Sequence, residues 1–311
     1  MDLPAPSRLH GVDRYDQAIR ASRAGFARAD IVYLASGEKF ADALSAGAVA
    51  GARGSPMLLT PATGLPAGVV AEIGRLSPSV VVVVGGPASV SDEVVAELSR
   101  SVVGATFLRI GGADRYEVSR ALVTDSAVGV PIADAVMLAA GATFPDALAA
   151  APAAVHREAT VMLVDGTSPS LDSASLTAIA GYRPRDVLIV GGIASVSPGI
   201  ESQLRRDLAA VPSSVGRVSG ADRFEVPVAL NRGVFAPRPG GSVYLASGTA
   251  FPDALSGGPL AASRHAPIYL VRQDCVPVPV LDDLRRLAPE QIVLLGGPAT
   301  LSPAVETLTP C

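Results

Sequence analysis

Three ordered blocks of sequence each occur three times in this chain, which limits it to folds built from three like units. Arg8 to Tyr15 reads RLHGVDRY, Arg109 to Tyr116 reads RIGGADRY and Arg217 to Phe224 reads RVSGADRF. A second block follows, LASGEKFADALSAG from Leu34, LAAGATFPDALAAA from Leu138 and LASGTAFPDALSGG from Leu245. A third closes each unit, VVVVGGPASVS to Ser91, LIVGGIASVS to Ser197 and VLLGGPATLS to Ser302. The Asp of the first block falls at 13, 114 and 222, so the period is about 101–108 residues. Blocks that keep their order over that length mark a whole small domain, not a short solenoid repeat. The units are expected over residues 1–104, 105–212 and 213–311, and a function carried by the repeat is expected three times.

Within each unit the patterning alternates. A short apolar segment carries the first Arg, a Gly-x-Asp turn follows, and an amphipathic helix begins with Asp13, Asp114 or Asp222 at the N-cap. Asp16, Glu117 and Glu225 three residues on complete a capping-box pattern. Apolar runs at Ile31–Ala35, Ala135–Ala139 and Ser242–Ala246 suit parallel strands covered on both faces. Small-residue helices then start near Asp42, Asp146 and Asp253, with Pro145 and Pro252 just ahead of the last two. Second strands are expected at Pro56–Thr60, Thr160–Val164 and Pro267–Val271, and helices at Pro66–Leu76, Ser170–Ile179 and Val278–Leu287. Third strands at Val80–Val84, Asp186–Val190 and Gln291–Leu295 end in Gly85-Gly86, Gly191-Gly192 and Gly296-Gly297, and a last helix opens after Ser91, Ser197 and Ser302. The alternation predicts an α/β fold with a parallel sheet in each unit. Short linkers, Ser101 to Phe107 and Pro212 to Gly216, favour a compact cluster, which three like units can close about a pseudo-threefold axis.

Hydrophobic residues make up 49% of the chain but aromatics only 4%, with no Trp, so the cores must be Ala, Val and Leu. The net charge of −4 argues against nucleic-acid binding through a general basic field. Lys39 is the single Lys, and the other basic residues are Arg, which bonds carboxylates and phosphates bidentately. Cys275 and Cys311 both fall in the last unit. A disulfide pinning the C-terminal tail implies an oxidising compartment, the alternative being two unpaired thiols in a reducing cell. Met1 to Ser7 lacks a basic n-region and an apolar core, so an exported protein would have its leader outside this sequence and Met1 as an expression start. No apolar run reaches membrane-spanning length.

The Asp-Arg-Tyr/Phe block offers two arginines per unit, an outer one (Arg8, Arg109, Arg217) and an inner one (Arg14, Arg115, Arg223). Beside a helix N-terminus they form an anion site; alternatively each pairs with an acidic residue of its own or the next unit. In the second block Gly37, Gly141 and Gly248 permit close backbone approach at a strand end, where open α/β sheets bind ligands. Asp42, Asp146 and Asp253 are placed to bond a sugar hydroxyl or the Arg cluster, or else to cap the helix with a Phe packed under the turn. The Gly-Gly pairs lack the remaining residues of a nucleotide loop and read equally as tight turns over Ala and Val.

Catalytic and metal-ligating sets are missing from the repeat. His10, His156 and His265 share no position, Ala140 stands where the other units have Ser36 and Ser247, and no H-E-x-x-H, G-x-S-x-G or C-x-x-C occurs. Neither a cofactor nor a metal is expected.

The pieces R-hydrophobic-x-G-x-D-R-Y, L-A-S-G-x-x-F-P-D-A-L-S and V-V-G-G-x-x-x-V-S, in three copies from Arg8 to about Glu306, resemble the cell-wall-binding repeat type 2 proteins of Gram-positive bacteria. The resemblance implies tandem Toprim-like or Rossmann-like modules clustered about a pseudo-threefold axis. They would anchor a secreted surface protein noncovalently to an anionic wall polymer or a peptidoglycan-attached glycan. It implies that the neighbouring Arg and Asp of the repeated blocks line the binding region. Activity in such proteins resides in partner domains such as wall hydrolases, proteases or adhesins. The chain departs from the pattern at Ala41 for Pro, at Ala140 and Ala149 for Ser, at Phe224 for Tyr, and in lacking the usual Thr-Ala after the first block. The expectation is therefore a monomeric, non-enzymatic, triplicated wall anchor without nucleic-acid contacts or a membrane span. A carbohydrate-active enzyme of amidase type and a surface-layer or adhesin scaffold are the alternatives.

Overall fold

The computed structural model describes residues 3–130, 132–208 and 214–311. Met1, the expected unit boundary after Pro212 and the first residues of the linker expected from Pro212 to Gly216 lie outside the described residues.

Among the described residues strands and helices alternate throughout. The first unit runs β1 (Ser7–Leu9), α1 (Arg14–Gly25), β2 (Ile31–Ser36), α2 (Phe40–Ala52), β3 (Met57–Thr60), α3 (Ala67–Leu76), β4 (Val80–Val84) and α4 (Asp92–Ser101). The second runs β5 (Thr106–Ile110), α5 (Arg115–Thr124), β6 (Ala135–Ala140), α6 (Pro145–His156), β7 (Ala159–Val164), α7 (Ser173–Tyr182), β8 (Asp186–Val190) and α8 (Pro198–Asp207). The third runs β9 (Ser214–Val218), α9 (Glu225–Val234), β10 (Ser242–Ser247), α10 (Pro252–Ser263), β11 (Ile268–Val271), α11 (Val278–Leu287), β12 (Gln291–Leu295) and α12 (Pro303–Glu306).

They form three four-stranded parallel sheets, ordered β3-β2-β4-β5, β7-β6-β8-β9 and β11-β10-β12-β1. The strand that opens each sequence repeat thus sits at the edge of the preceding unit's sheet. Arg109 pairs in register with Val83, Arg217 with Ile189 and Arg8 with Leu294. The helix after that strand returns to its own unit, as α1 packs on β3 and α5 on β7. Each repeat therefore straddles two sheets, and β1 closes the cycle on β12.

The central strands are buried on both faces, as their unbroken apolar runs require. The helices α2, α6 and α10 pack against one another at the centre. Their small residues make that possible: a Cβ on Gly51 of α2 would press on the Ala262 Cβ of α10. Burial of β-strand valines and of these alanines supplies much of the core, but not all of it as the composition suggested, because Tyr33 and Tyr269 are fully buried too.

Several details differ from the sequence expectation. The helix expected at Ser170–Ile179 starts at Ser173, because Asp172 caps it by accepting the Ser175 N–H at 2.7 Å. The linker expected to reach Phe107 stops before Thr106, which already belongs to β5. The N-cap aspartates accept the expected N–H groups of Tyr15 and Asp16, Tyr116 and Glu117, and Phe224 and Glu225. The acidic partner three residues on, however, reaches one residue further back than a capping box, to the N–H of Val12, Ala113 or Ala221. Cys275 and Cys311 are disulfide-bonded, and backbone bonds between Val276 and residues 309 and 311 hold the same tail.

Candidate functional site

The first two sequence blocks of a unit close on each other. After the N-cap Asp turns the chain, the inner Arg lies along the glycine of the second block and donates to its carbonyl. Arg115 Nη1 reaches Gly141 O at 2.7 Å, Arg223 Nη1 reaches Gly248 O at 2.9 Å, and Arg14 makes the same bond to Gly37. The ring of the next residue covers that glycine: a Cβ on Gly37, Gly141 or Gly248 would collide with Tyr15, Tyr116 or Phe224. These glycines admit the protein's own aromatic ring.

The Asp of the second block belongs to a different turn. Asp42, Asp146 and Asp253 lie in the first helical turn, where the N-cap residues Lys39, Phe144 and Phe251 make no side-chain capping bond. Instead each carboxylate points into the Gly-Gly turn of its own unit. Gly85, Gly191 and Gly296 have φ of 107°, 122° and 119°, and a Cβ on any of them would overlap the carboxylate Oδ2. Asp146 takes a hydrogen bond from Ser195 and Asp253 one from Thr300. Asp42 and Asp146 are buried, and Asp253 is half-buried. Burial pushes the Asp146 carboxyl up despite the opposing Ser195 bond and Arg223 charge. The same burial raises Asp253 against Thr300, Arg14 and His10.

These attractions cross between units, because Arg223 belongs to the third repeat and Arg14 to the first. In the first-to-second seam Asp42, Lys39 and Gly86 line one cleft with Gly112 and Arg115, of about 550 Å³. Each seam thus joins the carboxylate and Gly-Gly turn of one unit to the inner Arg of the next. Where they converge, Phe40, Phe144 and Phe251 form a near-equilateral triangle with ring centroids 5.7–6.1 Å apart. They meet one another instead of tucking under their own turns, and the Arg115 guanidinium lies 5.6 Å from the Phe40 ring centre.

The two sets of arginines have different surroundings. The outer ones are 10–23% exposed and tied into the fold. Arg8 bonds Glu306 at 2.7 Å and Gly296 O at 2.6 Å, Arg109 bonds Asp92 at 3.0 Å and Gly85 O at 2.8 Å, and Arg217 bonds Glu201 and Gly191 O, both at 2.9 Å. They clamp the opening strand of one repeat to the Gly-Gly turn and last helix of the repeat before it. Among the described residues Arg14, Arg115 and Arg223 have no carboxylate within ion-pair distance and one hydrogen bond each, so their other N–H groups have no protein acceptor; Arg223 is exposed, Arg14 and Arg115 partly so.

Three contributors escape a reading of the sequence. The Phe triangle recurs as the F of F-P-D-A-L but gives no sign that its members meet. Ser195 and Thr300 recur within A-S/T-hydrophobic-S, where they read as turn residues. His156 and His265 share no repeat position, yet their rings stand 6.1 Å apart. Among the described residues no group of three or more His, Cys, Asp or Glu is placed to hold a metal, and no helix is long and apolar enough to cross a membrane.

A family model, cell wall binding domain 2 (CWB2), matches residues 8–95, 109–201 and 217–306. The chain belongs to this family. Its three CWB2 copies coincide with the sequence repeats, so every copy spans two sheets. Similar proteins from Bacillus subtilis (strain 168) are an amidase enhancer, 28% identical over 98% of this chain and 40% of its own length, and N-acetylmuramoyl-L-alanine amidase LytC, 26% identical over 85% and 49%. Among solved structures, Cwp6 from Clostridium difficile superposes with a TM-score of 0.85 at 25% identity, over 98% of this chain and 48% of that one. Cwp8 from the same organism gives 0.80 at 24%, over 98% and 51%. The chain spans about half the length of these relatives or less. It is a cell-wall-binding module of three CWB2 units sharing the α/β architecture of those structures.

Proposed function

We propose that the module is exported by a Gram-positive bacterium and holds its carrier noncovalently to an anionic wall polymer through the three seams, without chemistry of its own. The observation that carries this reading is the division between the arginines. The outer three are neutralised inside the fold, while Arg14, Arg115 and Arg223 keep N–H groups without a protein acceptor beside a carboxylate and glycine-rich turns. Such N–H groups suit phosphate or carboxylate groups, and Asp42, Asp146 and Asp253 suit hydroxyls between them. With a net charge of −4 the attraction must be local. A repetitive polymer engaging linked weak sites gains avidity, on the order of 10²–10⁴-fold where its geometry permits. The Cys275–Cys311 disulfide fits an oxidising compartment.

The seams differ chemically, so equal affinity is not expected. Glu38 and Lys39 line the first-to-second seam. In the third-to-first seam His10 acts on Asp253. An amidase reading would transfer a relative's name onto a chain in which no His or Cys recurs and the recurrent Ser91, Ser197 and Ser302 stand at helix N-caps.

The test is sedimentation with purified Gram-positive walls, intact or stripped of anionic polymers. Binding is expected to intact walls only, to weaken with salt, and to fall at least tenfold when Arg14, Arg115 and Arg223 are all changed to Glu in a protein still folded by circular dichroism. Full pelleting of the folded triple variant sinks the assignment of these arginines. Equal pelleting with stripped walls sinks the anionic polymer, and muropeptide release by the isolated chain sinks the non-enzymatic reading.

A further inference from the structure

Tyr33 in β2 and Tyr244 in β10 occupy the same place in their sheets. The Tyr33 hydroxyl donates to the Val128 carbonyl, in segment 125–134 of the next repeat. In the third-to-first seam the corresponding segment is 26–30, five residues where the other has ten. The seams correspond because Arg53 reaches the Ala127 carbonyl at 3.1 Å in one and Arg264 the Ala24 carbonyl at 3.0 Å in the other. The shorter segment leaves a cleft of about 750 Å³ over the third sheet, bordered by the N-terminal ends of β10 and β12 and so at the opposite end of the strands from the seam carboxylates. The Tyr244 hydroxyl lines it and has no hydrogen-bond partner among the described residues.

The lining is one-signed. Its charged and titratable side chains, apart from Tyr244, are Arg8, Arg238, Arg264, His156 and His265, with no Asp or Glu among the described lining residues. In a protein of net charge −4 this is a local reversal. The Arg8 guanidinium is held by Glu306 and carbonyls, so Arg238, the imidazoles and Arg264, which has one bond, to the Ala24 carbonyl, are the groups left to meet a ligand. His156 comes from the second repeat and stands 4.7 Å from Phe235 and 6.1 Å from His265, ring centre to ring centre. His265 holds φ of +50° in the turn after α10, as Gly54 and Glu158 do at the same place in the other two repeats. Burial, His265 and Arg238 hold the His156 imidazole below its usual range. A bound anion would offset the charges of His265 and Arg238.

The geometry points to a second ligand site here, distinct from the seams that face the polymer, taking a sugar phosphate. Its phosphate meets Arg238 and the His156–His265 pair, while its hydroxyls meet Tyr244 and Ser263. The volume is that of an ordinary small-ligand pocket, and the Phe235 ring beside His156 gives a sugar an apolar wall.

The test is an NMR titration of the imidazole signals of the whole chain with glucose 1-phosphate, and separately with glucose and with inorganic phosphate. Glucose 1-phosphate is expected to shift His156 and His265 saturably, raise the pH at which His156 titrates, and bind at least tenfold tighter than either part. The double variant Arg238→Ala, His265→Gly is expected to bind at least tenfold more weakly, from loss of charge-assisted bonds. It should fold normally, since Arg238 is exposed and glycine occupies the His265 position in the first repeat. Absence of saturable shifts, equal affinity for glucose or for inorganic phosphate, or unchanged affinity in the double variant overturns the proposal.

Discussion

Asp146 and Asp253 are carboxyls that the fold pushes towards the neutral form, with burial the first cause in both. A carboxyl whose pKa rises on folding favours the fold below its ordinary value of 3.8, and that contribution disappears as pH rises through the folded value. At neutral pH each therefore works against stability. Asp146→Asn is expected to gain melting temperature relative to the parent as pH rises from 3.5 towards 7, while losing wall binding. A variant relatively worse at pH 7 than at pH 3.5 contradicts the assignment. The Gly-Gly turn gives a second test at this scale. Gly85 combines φ of 107° with the Asp42 carboxylate in its Cβ position, while Gly86 has open space around it. Gly85→Ala is expected to lose roughly 1–3 kcal/mol in urea unfolding, and Gly86→Ala to stay within about 0.5 kcal/mol of the parent. Equal losses would mean the turn is not shaped by the carboxylate. In the sequence the two glycines are indistinguishable, because the partner that separates them lies some forty residues upstream on another element.

Between elements, buried carboxylates act as clamps that the repeat conceals. Glu72 on α3, with a fully buried side chain, takes bonds from Ser22 at 2.6 Å, Arg23 at 3.0 Å and Arg75 at 2.6 Å, tying α1 to α3. Asp283 on α11 does the same for α9, through Arg232 at 2.8 Å, Arg286 at 2.6 Å and the Tyr269 hydroxyl. Burial alone would raise the Glu72 carboxyl, but the bonds from Arg75, Ser22 and Arg23 outweigh it and hold it below 4.5. Its contribution is therefore present above that value and lost as pH falls through the depressed one. Glu72→Gln is expected to cost roughly 2–3 kcal/mol at pH 7, under the 3–5 typical of a fully buried pair because Arg23 and Arg75 are 57% and 34% exposed. The deficit should shrink below pH 4. A loss that is independent of pH would show packing, not charge, to be responsible. Strand and helix order was legible at this scale because buried parallel strands must be apolar throughout and the turns need glycine. The clamps were not: the middle unit has Ala178 in that place, so a search for what recurs three times passes over Glu72 and Asp283. The second-block aspartates were legible as candidates for the same reason in reverse, since all three units keep them, but their Gly-Gly partner was not.

For the whole molecule the offset between repeat and sheet decides how the chain holds together. Parallel pairing leaves no mark in sequence that says which neighbour an edge strand joins, so the repeats read as self-contained units. In the fold β1 opens the first repeat but completes the third sheet, where Ser7, Arg8 and Leu9 pair with Val293, Leu294 and Leu295. The Arg8–Glu306 ion pair at 2.7 Å bolts the two ends of the chain together. Deleting residues 1–9 is therefore expected to damage the far end of the sequence. Amides of β12 and β10 should lose hydrogen-exchange protection, because β12 becomes an unpaired edge and Gly296 loses its bond to the Leu9 carbonyl. Amides of β2, β3 and β4 should keep theirs, because that sheet takes its edge from β5. The Cys275–Cys311 disulfide and its backbone bridge lie on the β11–α11 side of the third unit and cannot replace the missing strand. If protection is lost first in β2 to β4, each repeat is its own folding unit and the cyclic exchange is wrong. If it is lost first in β10 and β12, the three binding seams depend on a ring that the first nine residues close, and the truncated chain should bind walls with reduced avidity although Arg14, Arg115 and Arg223 are all still present.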